Sequence, residues 1–514
     1  MLSPPSPSRP ARRRLLTAAE AAAALGVRRA TLYAYVSRGL LRSQPDPGGR
    51  GHLYPAEDVE SLGQRAAARR DPPRAARGAL DWGLPVLDSR LTLIAGGRLY
   101  YRGRDAVELA RGGETLERVA ALLWRERLDE PLPPLAPHRL AALLALEPRL
   151  AASRAWRPFQ RLQAWLPAAT AEDPAAYDLR PAAVAATGAW LLQLLAAIAA
   201  GTTDHLPGEP PRPRAGKAAA RPPEAMATPG AGTAVPTLRV AEVLARAWAP
   251  AAALKREARR PPSGSRKRRR GGEAGRGGGA DRLEANGFEV GHGQLARQLD
   301  AALVLSADHE LNVSAFTARC VASAGAAPQA AVTAALAALG GSRHGGQTER
   351  VEALLAELSP PPASAARGAD AERTGGVSAV LPSRTRAGAI RDALAGRLRR
   401  GEQVPGFGHP LYPEGDPRAR LLLDLAAANA PASPHTELAA ELTAATFELL
   451  GERPNLDFGL VTLAQALDLP AGAALALFAI GRSAGWIAHA IEQYQEGGLI
   501  RPRARYLGPD PIKG

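Results

Sequence analysis

Four short stretches of this chain hold side chains that could do chemistry. Ala307-Asp308-His309-Glu310-Leu311-Asn312 leads into Val313–Arg319, and Arg343-His344-Gly345-Gly346-Gln347 follows an alanine-rich run. Pro405-Gly406-Phe407-Gly408-His409-Pro410-Leu411-Tyr412 continues into Gly415-Asp416-Pro417-Arg418, and Arg453-Pro454-Asn455-Leu456-Asp457-Phe458 precedes a last helical stretch. This inventory suits carbon–carbon bond formation. Removing a proton from a thioester methyl needs a carboxylate base. A neutral donor must stabilise the enol or enolate oxygen, and a second donor must polarise an acceptor ketone. Histidines beside glycine turns can supply those donors, because glycine lets the backbone approach a substrate closely. A dicarboxylate acceptor would need several guanidinium groups, whose planar fork matches a carboxylate. Taken singly, each histidine is equally compatible with a structural role. Hydrolysis fits part of the set, but no Gly-x-Ser-x-Gly nucleophile elbow accompanies it. No two histidines have close helical ligand spacing, and the single cysteine, Cys320, excludes a disulfide framework or a cysteine-cluster metal site.

These stretches need a scaffold, and the composition points to a helical one. The 514 residues allow two to three domains; alanine, leucine and arginine abound while aromatic residues make up only 4%, which argues against an all-β protein. Glu117–Trp124 and Leu140–Leu150 have helical apolar periodicity. Pro181–Gly201 carries no charge over a membrane-spanning length. Its alanines, Gln193 and the lack of a second such segment favour a buried helix of a large helical protein, starting at Arg180-Pro181. The basic N-terminus has no apolar run after it and is not read as a secretory signal, so a reducing, cytoplasmic location is expected, with no membrane association. Pro207–Pro236, the span 255–282 and Ser359–Gly376 lack the apolar residues that offset ordering entropy and are read as insertions, the first two disordered.

Charge is unevenly placed. Met1–Ala79 holds 14 basic and 6 acidic residues, and Lys255–Arg282 holds 11 and 3, each a net of +8, while the rest of the chain is nearly neutral. The first basic segment has its own architecture. Thr17-Ala18-Ala19-Glu20 is a capping box opening a short helix that Gly26 ends. A second helix begins near Arg28–Thr31, a turn-rich loop follows to His52-Leu53-Tyr54, and a third helix starts near Pro55. This order resembles the MerR-like winged helix-turn-helix. The resemblance puts Arg28, Arg29, Thr31, Tyr33 and Arg38 on or beside the recognition helix and Arg50 and His52 in the wing, where they could contact phosphates and base edges of DNA. A retained protein-contact module is the alternative. Asp71–Arg77 is a linker.

Beyond Leu84 the four stretches, in their order, resemble the citrate synthase family, together with an early Gly97–Asp105 segment and the closing Leu499–Tyr506 segment. The resemblance implies an all-α fold, with a large helical domain (80–347 and 452–514) interrupted by a small helical domain (348–451) that closes over substrate. It implies that Asp457 is the base acting on acetyl-CoA, that His344 stabilises the enol, and that His409 polarises the oxaloacetate carbonyl. It makes His309, Arg418, Arg482 and Arg501 the oxaloacetate-binding residues, the last supplied by the neighbouring subunit of a homodimer. Condensation to citryl-CoA and hydrolysis to citrate and coenzyme A would follow, with no metal and no cofactor beyond the acyl-CoA substrate. Gln347 and Thr348 stand where the family commonly has alanine and asparagine. Two further readings stay open: a 2-methylcitrate synthase using propionyl-CoA, and a DNA-binding transcriptional regulator whose synthase-like body senses a ligand.

Overall fold

The computed structural model describes residues 15–46, 51–56, 58–59, 62–63, 87–129, 132, 135–171, 173, 175–203, 238–249, 279–359, 386–504 and 506–509, with backbone alone from 279 to 291. The chain divides into two compact units, Met1–Ser89 and Arg90–Gly514.

The first unit is a winged helix-turn-helix, as its sequence leads one to expect. β1 (Leu15–Thr17), α1 (Ala18–Leu25), α2 (Arg29–Ser37), β2 (Gln44–Pro45) and β3 (His52–Pro55) follow in order, and the strands form an antiparallel sheet β1-β3-β2. The capping box is real: the Glu20 N–H donates to Thr17 Oγ1 at 3.3 Å and the Thr17 N–H to the Glu20 carboxylate at 2.8 Å. Gly26 ends α1 at φ 63°, a left-handed backbone that favours glycine. Ala21, Ala22, Leu32, Leu41, Tyr54, Val59 and Leu62 form the small core.

Among the described residues the second unit is helical, with one small sheet that the sequence did not announce. β4 (Thr92–Ala95), β5 (Arg98–Tyr101) and β6 (Arg104–Asp105) pair antiparallel in that order. The β4–β5 hairpin turns on Gly96 and Gly97, both at positive φ (59° and 71°), the backbone that a two-residue hairpin loop needs. Leu99 and Tyr101 then point into the core.

The helices that position the site are α3 (Leu116–Arg125), α4 (Pro181–Ala200), α5 (Gly279–Ser306), α6 (Val313–Ser323), α7 (Pro328–Leu339), α8 (Gln347–Leu358), α9 (Pro417–Asn429), α10 (Leu456–Ala466) and α11 (Ala473–Glu496). The Leu140–Leu150 stretch is two helices, Pro137–Leu144 and Glu147–Ala152, because Pro148 suits only a first helical turn. The stretches 207–236, 255–278 and 360–376 lie outside the described residues. α5 starts at Gly279, inside the end of the segment assigned above to an insertion.

α4 and α11 both have the length and apolarity to cross a membrane, and both are buried within the fold. α11 escaped the sequence reading because Arg482, His489, Glu492 and Glu496 punctuate it. It is the central helix, packing on α3, α4, α5, α6, α7 and α10. The carbonyl end of α4 is closed by guanidinium groups: Arg161 donates to Ile198 O at 3.0 Å and to Ala199 O, and Arg154 to Gly201 O at 3.1 Å. Ile198 O also accepts the Gly201 N–H at 3.1 Å, and the guanidinium groups serve carbonyls that a helix end leaves without intrahelical partners.

Two glycines let α11 lie directly on the end of α5. A Cβ on Gly481 would sit 2.5 Å from Leu303 O, and one on Gly485 would sit 2.9 Å from Asp308 Cβ and closer still to Ala307 O. Helix propensity alone predicts that Gly485→Ala stabilises by about 1 kcal/mol. Backbone contact opposes this, and overpacking typically costs about 1–3 kcal/mol. We expect the contact to win, with a lowered urea midpoint; an unchanged or raised midpoint would show that α5 and α11 can part without cost.

Candidate active site

The tertiary structure gathers six of the seven residues assigned above to the site. His309 lies in the turn between α5 and α6, His344 in the turn between α7 and α8, and His409 in the loop before α9. Arg418 and Asp457 sit in the first turns of α9 and α10, and Arg482 lies in α11. The His309 and His409 rings meet edge to face with centroids 5.2 Å apart. His344 packs against Phe478 at 6.1 Å, and the Arg482 guanidinium lies 4.8 Å over that same ring. The charges of Arg418 and Arg482 act on both His309 and Asp457.

Local rules explain how these turns meet. A two-rung ladder joins the His409 loop to the entry of α10: Gly408 N–H donates to Arg453 O and Asn455 N–H to Gly406 O, both at 2.9 Å. Gly406 has φ 87°, and a Cβ there would lie 2.7 Å from Val351 Cγ2 and 3.0 Å from Phe458 Cβ. Only glycine fits. Asn455 Oδ1 caps α10 by accepting the Asp457 and Phe458 N–H groups, while Asn455 Nδ2 donates to Gly408 O. Asn312 caps α6 in the same manner beside His309. Asp416 accepts from Arg418 Nε at 3.0 Å and Nη2 at 2.7 Å, and its Oδ2 also accepts the Leu456 N–H at 3.1 Å.

The electrostatics separate a base from neutral donors. Asp457 Oδ1 is sealed from solvent and has no hydrogen-bond partner among the described residues. Burial, only partly offset by Arg418 and Arg482, pushes the Asp457 carboxyl up to about 7. Burial lowers His344 to about 4, helped by Arg482, and lowers His409 to about 4, helped by Arg418. His309 falls well below its ordinary value through burial and the charges of Arg418 and Arg482. All three imidazoles are therefore neutral near pH 7. In His409 the Leu411 N–H donates to Nδ1 at 3.2 Å, which leaves the ring proton on Nε2 as a donor. His344 Nε2 meets Ser314 Oγ at 2.8 Å, and the same hydroxyl accepts from Trp486 Nε1 at 3.0 Å. The hydroxyl also lies 2.7 Å from Asn312 Oδ1, which can only accept, so its one proton serves either Asn312 or His344, and the His344 ring proton stands on Nδ1 only in the second arrangement.

The arginines differ. Burial works against the Arg418 charge, but the paired Asp416 more than offsets it and the group is held above its ordinary value. Arg482 uses Nε on Ser306 O at 2.7 Å, and burial lowers it to about 10, so it remains a cation. Arg501 does not join the six within one chain: it lies in the exposed segment after α11, next to Ile500, whose N–H donates to Ser323 Oγ. Among the residues assigned to DNA contact, Arg28, Arg29 and Arg38 are exposed, Tyr33 is half exposed and Thr31 partly so, around α2, whose Leu32 faces the core. Arg50 lies outside the described residues.

Sequence reasoning passed over several residues that the geometry brings in. Tyr412 and Asp416 stand in the quoted His409 stretch without an assigned role. Ser314 stands two residues past the Asn312 cap of α6, and a polar residue in the turn after a cap beside a site histidine is a usable signal. Asp308 is fully buried, accepts from Thr92 Oγ1, and lies 3.4 Å from His489 Nε2 without forming a hydrogen bond. Nothing in the sequence links residues 92, 308 and 489.

Comparison with known proteins bears on the family and the fold. A family model described as "Citrate synthase, C-terminal domain" matches residues 79–503, and a helix-turn-helix domain model matches residues 15–65. The chain is 38% identical over 220 residues to putative citrate synthase 2 of Mycobacterium tuberculosis, covering 41% of this chain and 52% of that protein. It is 29% identical over 242 residues to the 2-methylcitrate synthase of Shewanella oneidensis, covering 45% and 57%. The matched stretch thus spans about half the length of these curated relatives. In fold it resembles the Thermoplasma acidophilum citrate synthase solved as a ternary complex with carboxymethyl coenzyme A and oxaloacetate, with a TM-score of 0.53, 20% identity, and coverage of 84% of this chain and 96% of that one.

A raised carboxyl has a stability signature. Asp457 ordinarily titrates near 3.8 and in the fold near 7, so the native state holds a proton that the unfolded chain releases between those values. Stability is therefore lost as pH rises through that window. Asp457→Asn removes the titration. Its melting temperature should gain on the wild type as pH rises from about 4, with the full gain present above about 7. Equal differences at pH 4 and pH 8 would show that Asp457 titrates normally.

Proposed function

The chain belongs to the citrate synthase family, and on that premise we propose that it condenses acetyl-CoA with oxaloacetate to give citrate and coenzyme A. Asp457, ionised, removes the methyl proton while neutral His344 donates to the enol oxygen. The enol carbon attacks the oxaloacetate ketone, whose oxygen takes the His409 Nε2 proton as the new bond forms, and the proton held by Asp457 makes good the one that His409 gives up before the next turnover. Citryl-CoA forms, and water then cleaves its thioester. His309, Arg418 and Arg482 hold the two carboxylates. The reaction as proposed uses no metal and no resident cofactor. Residues 348–451 would close over the substrates and exclude water until the new bond exists.

One observation carries this reading: a buried carboxylate oxygen without a partner, beside histidines held neutral and two buried guanidinium groups. An orphaned buried acceptor costs about 1–3 kcal/mol; Glu117 and Asp308 also carry such an oxygen, and what distinguishes the one on Asp457 is its place beside the neutral histidines and the Arg418 and Arg482 guanidinium groups. Propionyl-CoA is the rival substrate, because one methylene shifts pocket binding by only about 1–3 kcal/mol. The deciding experiment is free-thiol release with oxaloacetate and either acetyl-CoA or propionyl-CoA. Asp457→Asn should lower turnover about 10²–10⁴-fold, the usual worth of a general base. Near-normal turnover in that variant would remove Asp457 from the reaction.

The winged helix-turn-helix supports a second reading, in which a cytoplasmic regulator binds DNA through Arg28, Arg29, Thr31, Tyr33, Arg38 and Arg50. Its exposed arginines around α2 favour phosphate contact. Absence of thiol release with both acyl-CoAs, together with salt-sensitive binding to genomic fragments, would establish this reading over the first.

Within the enzyme reading we also propose a homodimer in which Arg501 completes the partner's site, consistent with its exposed position outside the cluster in its own chain. Arg501→Ala alone should lose most activity, since a charge-assisted bond to a carboxylate is worth about 1.5–3 kcal/mol. Co-expression with Asp457→Asn subunits should restore part of it, because a heterodimer has one site with both groups intact. A verified heterodimer no more active than its parents would refute the composite site.

A further inference from the structure

Tyr412 lies at the centre of the cluster. It is 2% exposed, and its hydroxyl oxygen is 3.0 Å from His309 Nε2. Its ring packs on two histidines, with centroids 5.0 Å from His409 and 5.7 Å from His309, and the Arg418 guanidinium carbon lies 5.3 Å over its face. We propose that Tyr412 is a positioning residue that holds His309 in the neutral tautomer with the proton on Nδ1, where it can donate to an oxaloacetate carboxylate. This rests on the reading of the cluster as a dicarboxylate site.

The direction of the hydrogen bond decides the tautomer, and three arguments agree on it. A phenol is a good donor but a weak acceptor, since its oxygen lone pair is drawn into the ring, whereas the bare nitrogen of a neutral imidazole is a strong acceptor. The Arg418 cation on the ring face draws density the same way and strengthens the O–H donor. Burial, Arg418 and Arg482 all disfavour a charged His309, so the ring has one proton to place. With Tyr412 donating to Nε2, that proton stands on Nδ1. Two groups are then set by one loop. Three residues before Tyr412, the same chain segment fixes His409 in the opposite tautomer through Leu411 N–H. A single turn thus prepares one histidine for the ketone and another for a carboxylate.

Tyr412→Phe tests this, because it removes the hydroxyl and keeps the ring packing. In the full-length protein labelled with ¹⁵N-histidine, the His309 signals are identified by their loss in His309→Gln. The wild type should show an unprotonated Nε2, and Tyr412→Phe should shift toward a mixture of tautomers. KM for oxaloacetate should rise about tenfold, the worth of one hydrogen bond, with kcat changed by less than about threefold and the melting temperature little changed. A lowered melting temperature with unchanged KM would mark Tyr412 as structural, and an unaltered tautomer signature would overturn the proposal. If the wild type releases thiol with neither acyl-CoA, the function reading fails, and the ¹⁵N signature alone decides the role of Tyr412.

Discussion

The Asp416 carboxylate grips the Arg418 guanidinium with both oxygens and holds the Leu456 N–H with one of them. That one side chain fixes the start of α9 against the start of α10, and so places a cation beside the carboxyl of Asp457. Both partners are nearly free of solvent. A buried pair of this kind adds little net stability, yet removing either partner typically costs about 3–5 kcal/mol because the other is left charged and alone. Its contribution is geometric: it determines where the guanidinium and the helix entry stand relative to each other.

Around this pair the backbone is brought unusually close. Gly406 lets the His409 loop pair with the segment entering α10, and Gly481 and Gly485 let α11 lie on the end of α5. The close approach at α11 delivers Arg482 to Ser306 O and seats Asp308 over Gly485. β4 braces the same turn from its other side. Thr92 donates to Asp308, and the Ile94 N–H donates to Glu310 at 3.2 Å. Glu310 itself sits at φ 52°, a strained position for a residue with a side chain, held there by these neighbours.

The site works through a division of charge. Burial alone would neutralise every ionisable group in it, since each charged form loses its hydration. Arg418 keeps its charge through Asp416, and Arg482 keeps its charge because guanidinium is so weakly acidic. At the histidines burial prevails, with Asp416 only partly offsetting it at His409, and they stay neutral, as donors to a substrate oxygen should be. Asp457 falls between: raised by burial and restrained by two cations, it can lose and regain a proton near neutral pH.

The sequence by itself determined the local chemistry. Thr17 with Glu20, Gly26 and Pro181 at a first helical turn are rules that act over a few residues, and each appears in the fold as read. The stretches around His344 and His409 were legible for the same reason, as histidines adjacent to glycine turns, while those around His309 and Asp457 stood out by residue type and by their order in the chain. What only the tertiary structure decided depends on residues far apart in the chain. That Asp308 meets Thr92 and His489, that Ser314 meets both His344 and Trp486, and that Tyr412 reaches His309 follow from helix crossings, which no local spacing encodes. The β4–β5 hairpin lay hidden because its strands are short and its signal is two glycines among many. α11 was missed as a core helix because its charges, paired or buried by tertiary contacts, look like surface charges when read along a line. The protonation of Asp457 also belongs to the structure, because a carboxyl acquires a raised pKa from what surrounds it, not from what precedes and follows it.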